Sequence, residues 1–290
     1  MRVTVTSLRE MKQRGEPITV LTAYDAPTAR VLDEAGVEVI LVGDSVGNVV
    51  LGYENTLPVT MDEMVHHTAA VVRGTKNAFV VFDMPFLSYQ ASLEDAVRNA
   101  GRAIKETGCH GVKLEGGGAQ NARITEALVR TGIPVMGHLG LTPQSVHQLG
   151  GFKVQGKALA AARRMVAEAI ELEKAGAFSI VLECVPWRLA QAVTERLQVP
   201  TIGIGAGPRC DGQVLVTHDM LNLSGRTPPK FVRVYADLQR TMKTAVKKYI
   251  TEVRSGTFPA DEHSFSMPEG VIESLPKGAG GNRRTAAKKR

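Results

Sequence analysis

Short apolar segments alternate with longer amphipathic segments along most of the chain. Eight apolar segments end in Gly, Asp, Glu or His, and the central ones are dense in Val, Ile and Leu, as strands buried on both faces must be. They cover residues 18–25, 37–44, 78–83, 111–115, 133–138, 178–183, 201–205 and 214–219. If these strands form a parallel barrel, their carboxyl ends open on one face, so side chains distant in sequence meet there.

The segments between these strands carry signals for the start and the end of a helix. The clearest helices are predicted over residues 27–36, 60–74, 92–108, 158–176 and 187–198. Alternating strands and helices predict a parallel sheet, and eight strands favour a closed (β/α)8 barrel over an open doubly wound sheet. The interval 214–235 is the weakest part of this count, and a helix over 235–254 either closes the ring or packs elsewhere.

Charge separates the body of the chain from its C-terminal end. Segment 267–290 has six basic and two acidic residues, a net +4 of the total +6, so the body is nearly neutral. The segment is rich in Gly, Pro and Ala and lacks apolar periodicity. We therefore predict one catalytic domain over 1–266 and a basic, disordered tail over 267–290. A solvated chain end is favoured over a nucleic-acid-binding element.

Nothing in the sequence predicts a membrane or secretory location. No apolar stretch approaches the ~20 residues that span a bilayer, and charges interrupt the N-terminal segment where a signal peptide needs an apolar core. Three widely spaced cysteines, Cys109, Cys184 and Cys210, fit neither a disulfide framework nor a zinc-binding pattern. A cytoplasmic protein with free, buried thiols is predicted.

Carboxylates end three different predicted strands. Asp44, Asp83 and Glu115 stand in LVGDS, VVFDMP and VKLEGG. Three carboxylates at one barrel mouth would repel one another unless protons or a cation lay among them. Oxygen ligands favour a hard ion such as Mg²⁺, or Mn²⁺, over zinc or copper. A single acid at a strand end is more often a helix cap or a loop anchor, so the trio carries the prediction of a metal site.

Lys113 lies two positions before Glu115, on the same face of its strand. A lysine inside a barrel needs carboxylates, a substrate anion or an electrophilic carbonyl to offset its burial. A structural ion pair, anion binding and Schiff-base formation all remain open for it.

Other polar residues at strand ends are candidates for proton transfer or substrate contact. Glu183, in SIVLECV, is a candidate general base, and a satisfied buried acid is the alternative. His138, in VMGHLG, is a candidate hydrogen-bond partner for a substrate oxygen, as are His218 and Asp219 near the eighth strand end. The alternation of strand side chains predicts that Cys184 points toward the helices, which disfavours a Cys nucleophile.

The glycine-rich stretch GIGAG at 203–207 is not a dinucleotide fingerprint, because its third glycine comes one position early. Close backbone packing near a ligand is the favoured interpretation. The sequence also lacks a P-loop, a G-x-S-x-G elbow and a His-Glu-x-x-His motif, so the commonest nucleotide, hydrolase and zinc-protease functions are disfavoured.

Many separate segments together resemble the ketopantoate hydroxymethyltransferase family. They are TAYDAPTA, ILVGDSVGN, TLPVT, VKLEGG, GHLGLTPQSV, GGFKVQG, VLECVP, IGIGAGPRCDGQVLV and DEHSF, extending from about residue 21 to residue 265. The resemblance implies a (β/α)8 barrel of the phosphoenolpyruvate mutase/isocitrate lyase type. It also implies transfer of a hydroxymethyl group from 5,10-methylenetetrahydrofolate to 3-methyl-2-oxobutanoate, giving 2-dehydropantoate in pantothenate and coenzyme A biosynthesis.

The resemblance further assigns roles to individual positions. It implies one Mg²⁺ per subunit, Mg-assisted enolisation of the oxoacid, and a homo-oligomer, typically a decamer. By motif position, it implies a metal site at Asp44, Asp83 and Glu115, oxoacid binding by Asp44, Ser45, Asp83 and Lys113, and a proton acceptor at Glu183. The chain departs from the family pattern in continuing past the His-Ser-Phe ending into the basic tail.

Three other functions compete with this hypothesis. A Schiff-base aldolase would use Lys113 as the nucleophile and need no metal. A sister carbon-carbon lyase would act on another 2-oxoacid. An RNA-binding protein would use the tail, but the neutral body and the absence of an aromatic-basic motif disfavour any nucleic-acid partner.

Overall fold

The computed structural model describes residues 2–151 and 153–276. Eight parallel strands pair in chain order, and the last pairs with the first, which closes the barrel. The strands are β1 (Ile18–Thr22), β2 (Val39–Val42), β3 (Phe79–Asp83), β4 (Gly111–Glu115), β5 (Val135–Gly140), β6 (Ser179–Glu183), β7 (Thr201–Ile204) and β8 (Gly212–Leu215). The predicted (β/α)8 barrel is confirmed.

Helices connect these strands, and side-chain caps fix where several of them begin. The Thr60 hydroxyl accepts from the backbone N–H of Glu63, and Ser92 does the same for Asp95, as the sequence signals predicted. The helices are α1 (Val5–Arg14), α2 (Ala26–Glu34), α3 (Val46–Val49), α4 (Met61–Gly74), α5 (Leu93–Thr107), α6 (Gly118–Arg130), α7 (Val146–Leu149), α8 (Leu159–Lys174), α9 (Trp187–Thr194), α10 (Thr217–Met220), α11 (Leu238–Ser255) and α12 (Glu269–Glu273). Two short 3₁₀ turns cover Pro143–Ser145 and Asp261–His263.

The strand period of two divides the core into an inner and an outer layer. In β2 and β3, Ile40 and Phe82 belong to the cluster beneath the surrounding helices, whereas Leu41 and Val81 belong to the cluster inside the barrel. Leu8 of α1 joins the inner cluster. Apolar side chains therefore fill much of the barrel interior, and the charged side chains of the site described below lie toward the carboxyl ends of the strands.

Four strands end earlier than the apolar pattern predicted. β2 stops at Val42, so Asp44 lies beyond it, and β7 stops at Ile204; the differences are larger at β1 and β8. β1 stops at Thr22, and Asp25 instead caps α2 by accepting the backbone N–H of Thr28 at 2.8 Å. The predicted eighth strand over 214–219 is wrong at its end, because the strand covers Gly212–Leu215 and α10 follows it. The first residue of this strand must be glycine, because a Cβ at Gly212 would lie 2.4 Å from the carbonyl oxygen of Ile18 on β1.

The chain divides into two compact units, residues 1–239 and 240–290. The first contains the whole barrel. Most of α11 lies in the second, where Tyr249 and His263 each contact the ring of Phe258. The predicted tail over 267–290 falls largely outside the described residues, and its described part contains α12. Among the described helices, none is long and apolar enough to cross a membrane.

Candidate active site

Parallel pairing of β3, β4 and β5 brings charged side chains together at the carboxyl end of the barrel. Asp83 pairs in register with Lys113, and Glu115 pairs with His138. All four side chains point inward and are buried. The convergence predicted from the strand ends is therefore observed.

Lys113 makes an ion pair with Asp83 inside the barrel. Its Nζ lies 2.6 Å from Oδ1 of Asp83 and 3.8 Å from Oε1 of Glu115. Burial lowers the pKa of Lys113, but the Asp83, Glu115 and Asp44 carboxylates oppose it, so its pKa lies above the ordinary value. Lys113 is thus a fixed ammonium group.

Asp44 lies in the loop directly after β2 and carries the least compensated charge of the cluster. Burial raises its pKa well above the ordinary value, and repulsion from Asp83 and Glu115 adds to the effect. Burial also raises the pKa of Asp83, although Lys113 opposes the rise. In Glu115, by contrast, burial alone would raise the pKa, but His138, Lys113 and the backbone N–H of Gln144 together outweigh it, so the pKa lies below its ordinary value. Additional positive charge near Asp44 would relieve this repulsion.

Gln144, in the 3₁₀ turn after β5, connects two of the carboxylates. Its Nε2 donates to Oδ2 of Asp44 at 3.0 Å, and its backbone N–H donates to Oε2 of Glu115 at 3.0 Å. Its Oε1 accepts from the Tyr89 hydroxyl and from Nε2 of Gln90, each at 3.0 Å. Our sequence prediction missed this residue, although it lies within the GHLGLTPQSV segment.

His138 stands between two glutamates. Its Nδ1 lies 3.4 Å from Oε1 of Glu115, and its Nε2 lies 3.2 Å from Oε2 of Glu183. Neither ring nitrogen makes a well-aligned hydrogen bond among the described residues. The contacts of His138 with the two glutamates are therefore electrostatic. Burial and Lys113 lower the pKa of His138, but the two glutamates overcome them and raise it to about 9. His138 is therefore cationic at neutral pH and balances both acids.

Glu183 and Ser45 complete the cluster. Glu183 ends β6, and its side chain is 17% exposed, so it is the most accessible of the inward-facing acids. The Ser45 hydroxyl lies 2.8 Å from the hydroxyl of Tyr24, a buried residue in the TAYDAPTA segment that our sequence prediction also missed. Both Glu183 and Ser45 line the cavity described next.

A cavity of about 130 Å³ opens at the centre of this cluster. Its polar wall contains seven of the nine site candidates taken from the sequence, which are Asp44, Ser45, Asp83, Lys113, Glu115, His138 and Glu183. The apolar residues Leu41, Val181 and Val214 also line it. The cavity thus suits a small molecule with an oxygen-rich end and a short apolar end.

The charges of this cavity fit a hard divalent cation. The four carboxylates of Asp44, Asp83, Glu115 and Glu183 outnumber the two cationic groups, Lys113 and His138, around this cavity. Asp44, Asp83 and Glu115 are buried, and carboxylate oxygens are suitable Mg²⁺ ligands. Within residues 2–151 and 153–276, no three His, Cys, Asp or Glu side chains are grouped so that they alone would hold a metal ion. Magnesium commonly keeps water or substrate oxygens in its coordination shell. The residues therefore fit Mg²⁺ as partial ligands.

The expected direction of the Cys184 side chain is wrong, and the predicted eighth strand does not reach His218 and Asp219. Cys184 has φ of 48°, so the strand alternation stops at Glu183, and Cys184 lines a second cavity beside the first. Burial raises its pKa to about 11, which still disfavours a thiolate nucleophile. His218 and Asp219 lie on α10 and not on a strand; of the two, Asp219 also lines the second cavity, and neither lines the first.

Comparison with solved structures defines the class of this barrel. A phosphoenolpyruvate phosphomutase from Streptomyces platensis subsp. rosaceus superposes with a TM-score of 0.58 at 13% identity, covering 92% of this chain and 93% of that one. A 2,3-dimethylmalate lyase, a member of the PEP mutase/isocitrate lyase superfamily, superposes with a TM-score of 0.56 at 15% sequence identity. The match covers 94% of this chain and 95% of that one. The chain therefore has the same closed-barrel fold as these two proteins.

Sequence comparison identifies the family. The family model for ketopantoate hydroxymethyltransferase matches residues 2–261. A 3-methyl-2-oxobutanoate hydroxymethyltransferase from Syntrophus aciditrophicus is 61% identical over 264 residues, 91% of this chain and 97% of that protein. Another 3-methyl-2-oxobutanoate hydroxymethyltransferase, from Syntrophomonas wolfei, is 59% identical over 274 residues, which cover 94% of this chain and 99% of that protein. The chain belongs to the ketopantoate hydroxymethyltransferase family, and the predicted hydroxymethyltransferase function is confirmed.

Proposed function

We propose that the chain transfers the one-carbon unit of 5,10-methylenetetrahydrofolate to C3 of 3-methyl-2-oxobutanoate, and that Glu183 removes the C3 proton. The observation that carries this proposal is the position of Glu183. Its carboxylate lies 3.2 Å from His138 and lines the small central cavity together with the Lys113 cluster. A base and an anion-stabilising group thus face the same small volume.

The central cavity supplies complementary contacts for the oxoacid. The Lys113 ammonium is fixed by Asp83, so it offers a positive charge to the carboxylate or keto oxygen without rearrangement. The Ser45 hydroxyl and His138 offer further polar contacts. Val181, Val214 and the other apolar residues of the wall would contact the isopropyl group.

The metal belongs to the same proposal. Asp44, Asp83 and Glu115 would hold one Mg²⁺ per subunit, and the bound cation would supply Lewis-acid polarisation of the keto group. The excess negative charge described above supports this assignment.

Glu183 acts as general base through its own carboxylate. It accepts the C3 proton, and the electron pair of the broken C–H bond is delocalised toward the keto oxygen, where Lys113 stabilises the developing charge. One water hydrolyses both carbon–nitrogen bonds of the methylene bridge, which gives tetrahydrofolate and leaves the one-carbon unit as formaldehyde. C3 then adds to the carbonyl carbon of this unit, the electron pair of the C=O π bond moves to its oxygen, and that oxygen takes the proton held by Glu183 to give 2-dehydropantoate.

The Schiff-base alternative fits the cavity less well. A nucleophilic lysine must be neutral, yet Asp83 and Glu115 keep the pKa of Lys113 above its ordinary value. Borohydride reduction in the presence of 3-methyl-2-oxobutanoate should therefore leave Lys113 unmodified by mass spectrometry.

The assembly and location remain part of the proposal. We infer a cytoplasmic homo-oligomer, a decamer as the family resemblance implies, with no nucleic-acid partner. Support for association comes from α11, where Met242, Val246, Tyr249 and Val253 expose apolar side chains at helical spacing. Light scattering coupled to size exclusion tests the assembly, and a monomeric mass would contradict it.

The function is tested by NMR detection of 2-dehydropantoate from both substrates, with Mg²⁺ and then with excess EDTA. Product that forms with Mg²⁺ and not with EDTA is expected. Product that persists in EDTA would contradict the metal assignment, whereas no product in either sample would contradict the proposed reaction.

A further inference from the structure

A second cavity adjoins the proposed oxoacid site. Its volume is about 400 Å³, against about 130 Å³ for the first. The two cavities share five lining residues, which are Ser45, Asn48, Glu183, Ile204 and Val216. Glu183 therefore lies at the junction of a small chamber and a larger one.

The larger chamber differs from the smaller one in chemistry. Phe231, Pro229 and Val232 give it an apolar and aromatic wall, whereas Asp219, Arg226 and Lys230 give it separate charges of both signs. Within the described part of the chain, the Asp219 carboxylate and the Lys230 ammonium make no side-chain hydrogen bond or salt bridge. Both groups are thus available to a ligand.

Gly205 fixes the position of the aromatic wall. It has φ of 62°, and a Cβ there would lie 2.9 Å from Cδ1 of Phe231 and 3.3 Å from Sγ of Cys184. The ring of Phe231 therefore packs directly on the backbone of the GIGAG stretch. This contact explains the glycine at 205 as a close approach between β7 and the wall of the second cavity.

We propose that the second cavity binds the one-carbon donor, with its bicyclic ring and aminobenzoyl group against Phe231. This inference rests on the proposed function, because it requires a planar donor with an anionic tail. The carboxylate of Asp219 accepts hydrogen bonds from the amino and ring N–H groups of the reduced pterin. Lys230 and Arg226 pair with the carboxylates of the glutamate tail.

Size and position support this division of the two substrates. Ligand sites of drug-sized molecules usually occupy about 300 to 1,000 Å³, so the second cavity matches the donor and the first matches only a small acid. Since both cavities share Glu183, a donor in the second cavity presents its methylene carbon beside the oxoacid carbon that loses its proton. Neither substrate then needs to pass the other.

Steady-state kinetics with each substrate varied in turn test the proposal. Phe231→Ala and Asp219→Asn are expected to raise KM for methylenetetrahydrofolate roughly 5- to 10-fold, the size expected for loss of one aromatic or hydrogen-bonding contact. KM for 3-methyl-2-oxobutanoate should stay within about twofold of wild type. Lys230→Gln should raise KM for the donor more strongly with a polyglutamylated donor than with the monoglutamate.

A second measurement separates this inference from the proposed function. Wild-type protein with the oxoacid alone in D₂O should exchange the C3 proton, observed by NMR. The Phe231→Ala and Asp219→Asn variants should exchange it at the wild-type rate, because the donor takes no part in this exchange. Lys105→Gln, on the outside of α5, is the matched control for Lys230→Gln. Unchanged donor KM in Phe231→Ala and Asp219→Asn would overturn the inference even if the reaction occurs. Loss of C3 exchange in both variants would also overturn it, since it would place these residues in the oxoacid site.

Discussion

The ammonium of Lys113 lies 2.6 Å from Oδ1 of Asp83, with both side chains almost fully buried. Strand pairing creates this contact, because the two residues are register partners on β3 and β4. Burial removes the hydration of both charged groups, and the attraction between the ammonium and the carboxylate offsets this loss. Removal of either residue alone therefore leaves the other buried charge without its nearest partner of opposite sign.

Lys113→Met should reduce both activity and stability. Loss of one stabilising donor should lower kcat by about 100- to 1,000-fold, and the isolated Asp83 should lower the free energy of unfolding by about 3 kcal/mol. Urea unfolding and steady-state kinetics measure the two effects. The Lys113→Met/Asp83→Asn double variant should regain most of the stability and none of the activity. Full stability in the single variant would contradict this account of the pair.

Gln144→Ala should weaken Mg²⁺ binding. The amide of Gln144 orients Asp44 through a 3.0 Å hydrogen bond, and loss of such a supporting contact typically costs about 10- to 100-fold in metal affinity. Calorimetric titration of the substrate-free protein with MgCl₂ measures the effect directly. Gln90→Ala is the matched control, because it removes a hydrogen bond to Gln144 and leaves the contact with Asp44. Equal affinities in the two variants would contradict the role of Gln144.

Glu183→Gln should abolish proton removal while preserving oxoacid binding. The amide keeps the size of the side chain but accepts no proton, so exchange of the C3 proton in D₂O should slow by about 100- to 10,000-fold. Binding of 3-methyl-2-oxobutanoate, measured by calorimetry, should change little. Exchange at the wild-type rate would assign the base to another group, and His138 would be the next residue to test.

The sequence predicted the barrel because its signals are local. Runs of Val and Ile predict the strands, and the caps at Thr60 and Ser92 predict where two helices begin. The structure contains these strands and helices. The inward direction of Lys113 and Glu115 also follows from the strand period of two. The convergence of the seven site residues was therefore predictable once the strand count was right.

The missed features depend on contacts between distant residues or on single dihedral angles. Gln144 meets Asp44 across 100 positions of sequence, and no local pattern encodes that contact. Cys184 directly follows β6, has positive φ and packs against Gly205. The alternation of side chains along a strand does not apply at such a residue, so it predicted the wrong direction for this side chain. The eighth strand was misplaced because Gly212–Leu215 contains few apolar residues and begins where ring closure requires a glycine.

His110 provides a pH-dependent contribution to stability that is separate from the active site. Its Nδ1 accepts the backbone N–H of Val80 at 2.8 Å, which requires an unprotonated nitrogen. Burial and, to a smaller extent, the positive charge of the nearby Arg2 lower the pKa of His110 to about 4. Because this pKa lies below the unfolded value of about 6.5, the unfolded chain binds more protons between about pH 6.5 and 4.

The free energy of unfolding should therefore fall as the pH drops through that window, and His110→Asn should reduce the fall. Asn offers an oxygen near the position of Nδ1 but does not titrate. After allowance for partial exposure, the wild type should lose about 1 to 2 kcal/mol more than the variant between pH 7 and pH 5. Urea unfolding of both proteins at the two pH values measures this difference, and other titrating groups cancel because both proteins share them. A stability difference between the two proteins that stays constant with pH would show that His110 is not the group responsible.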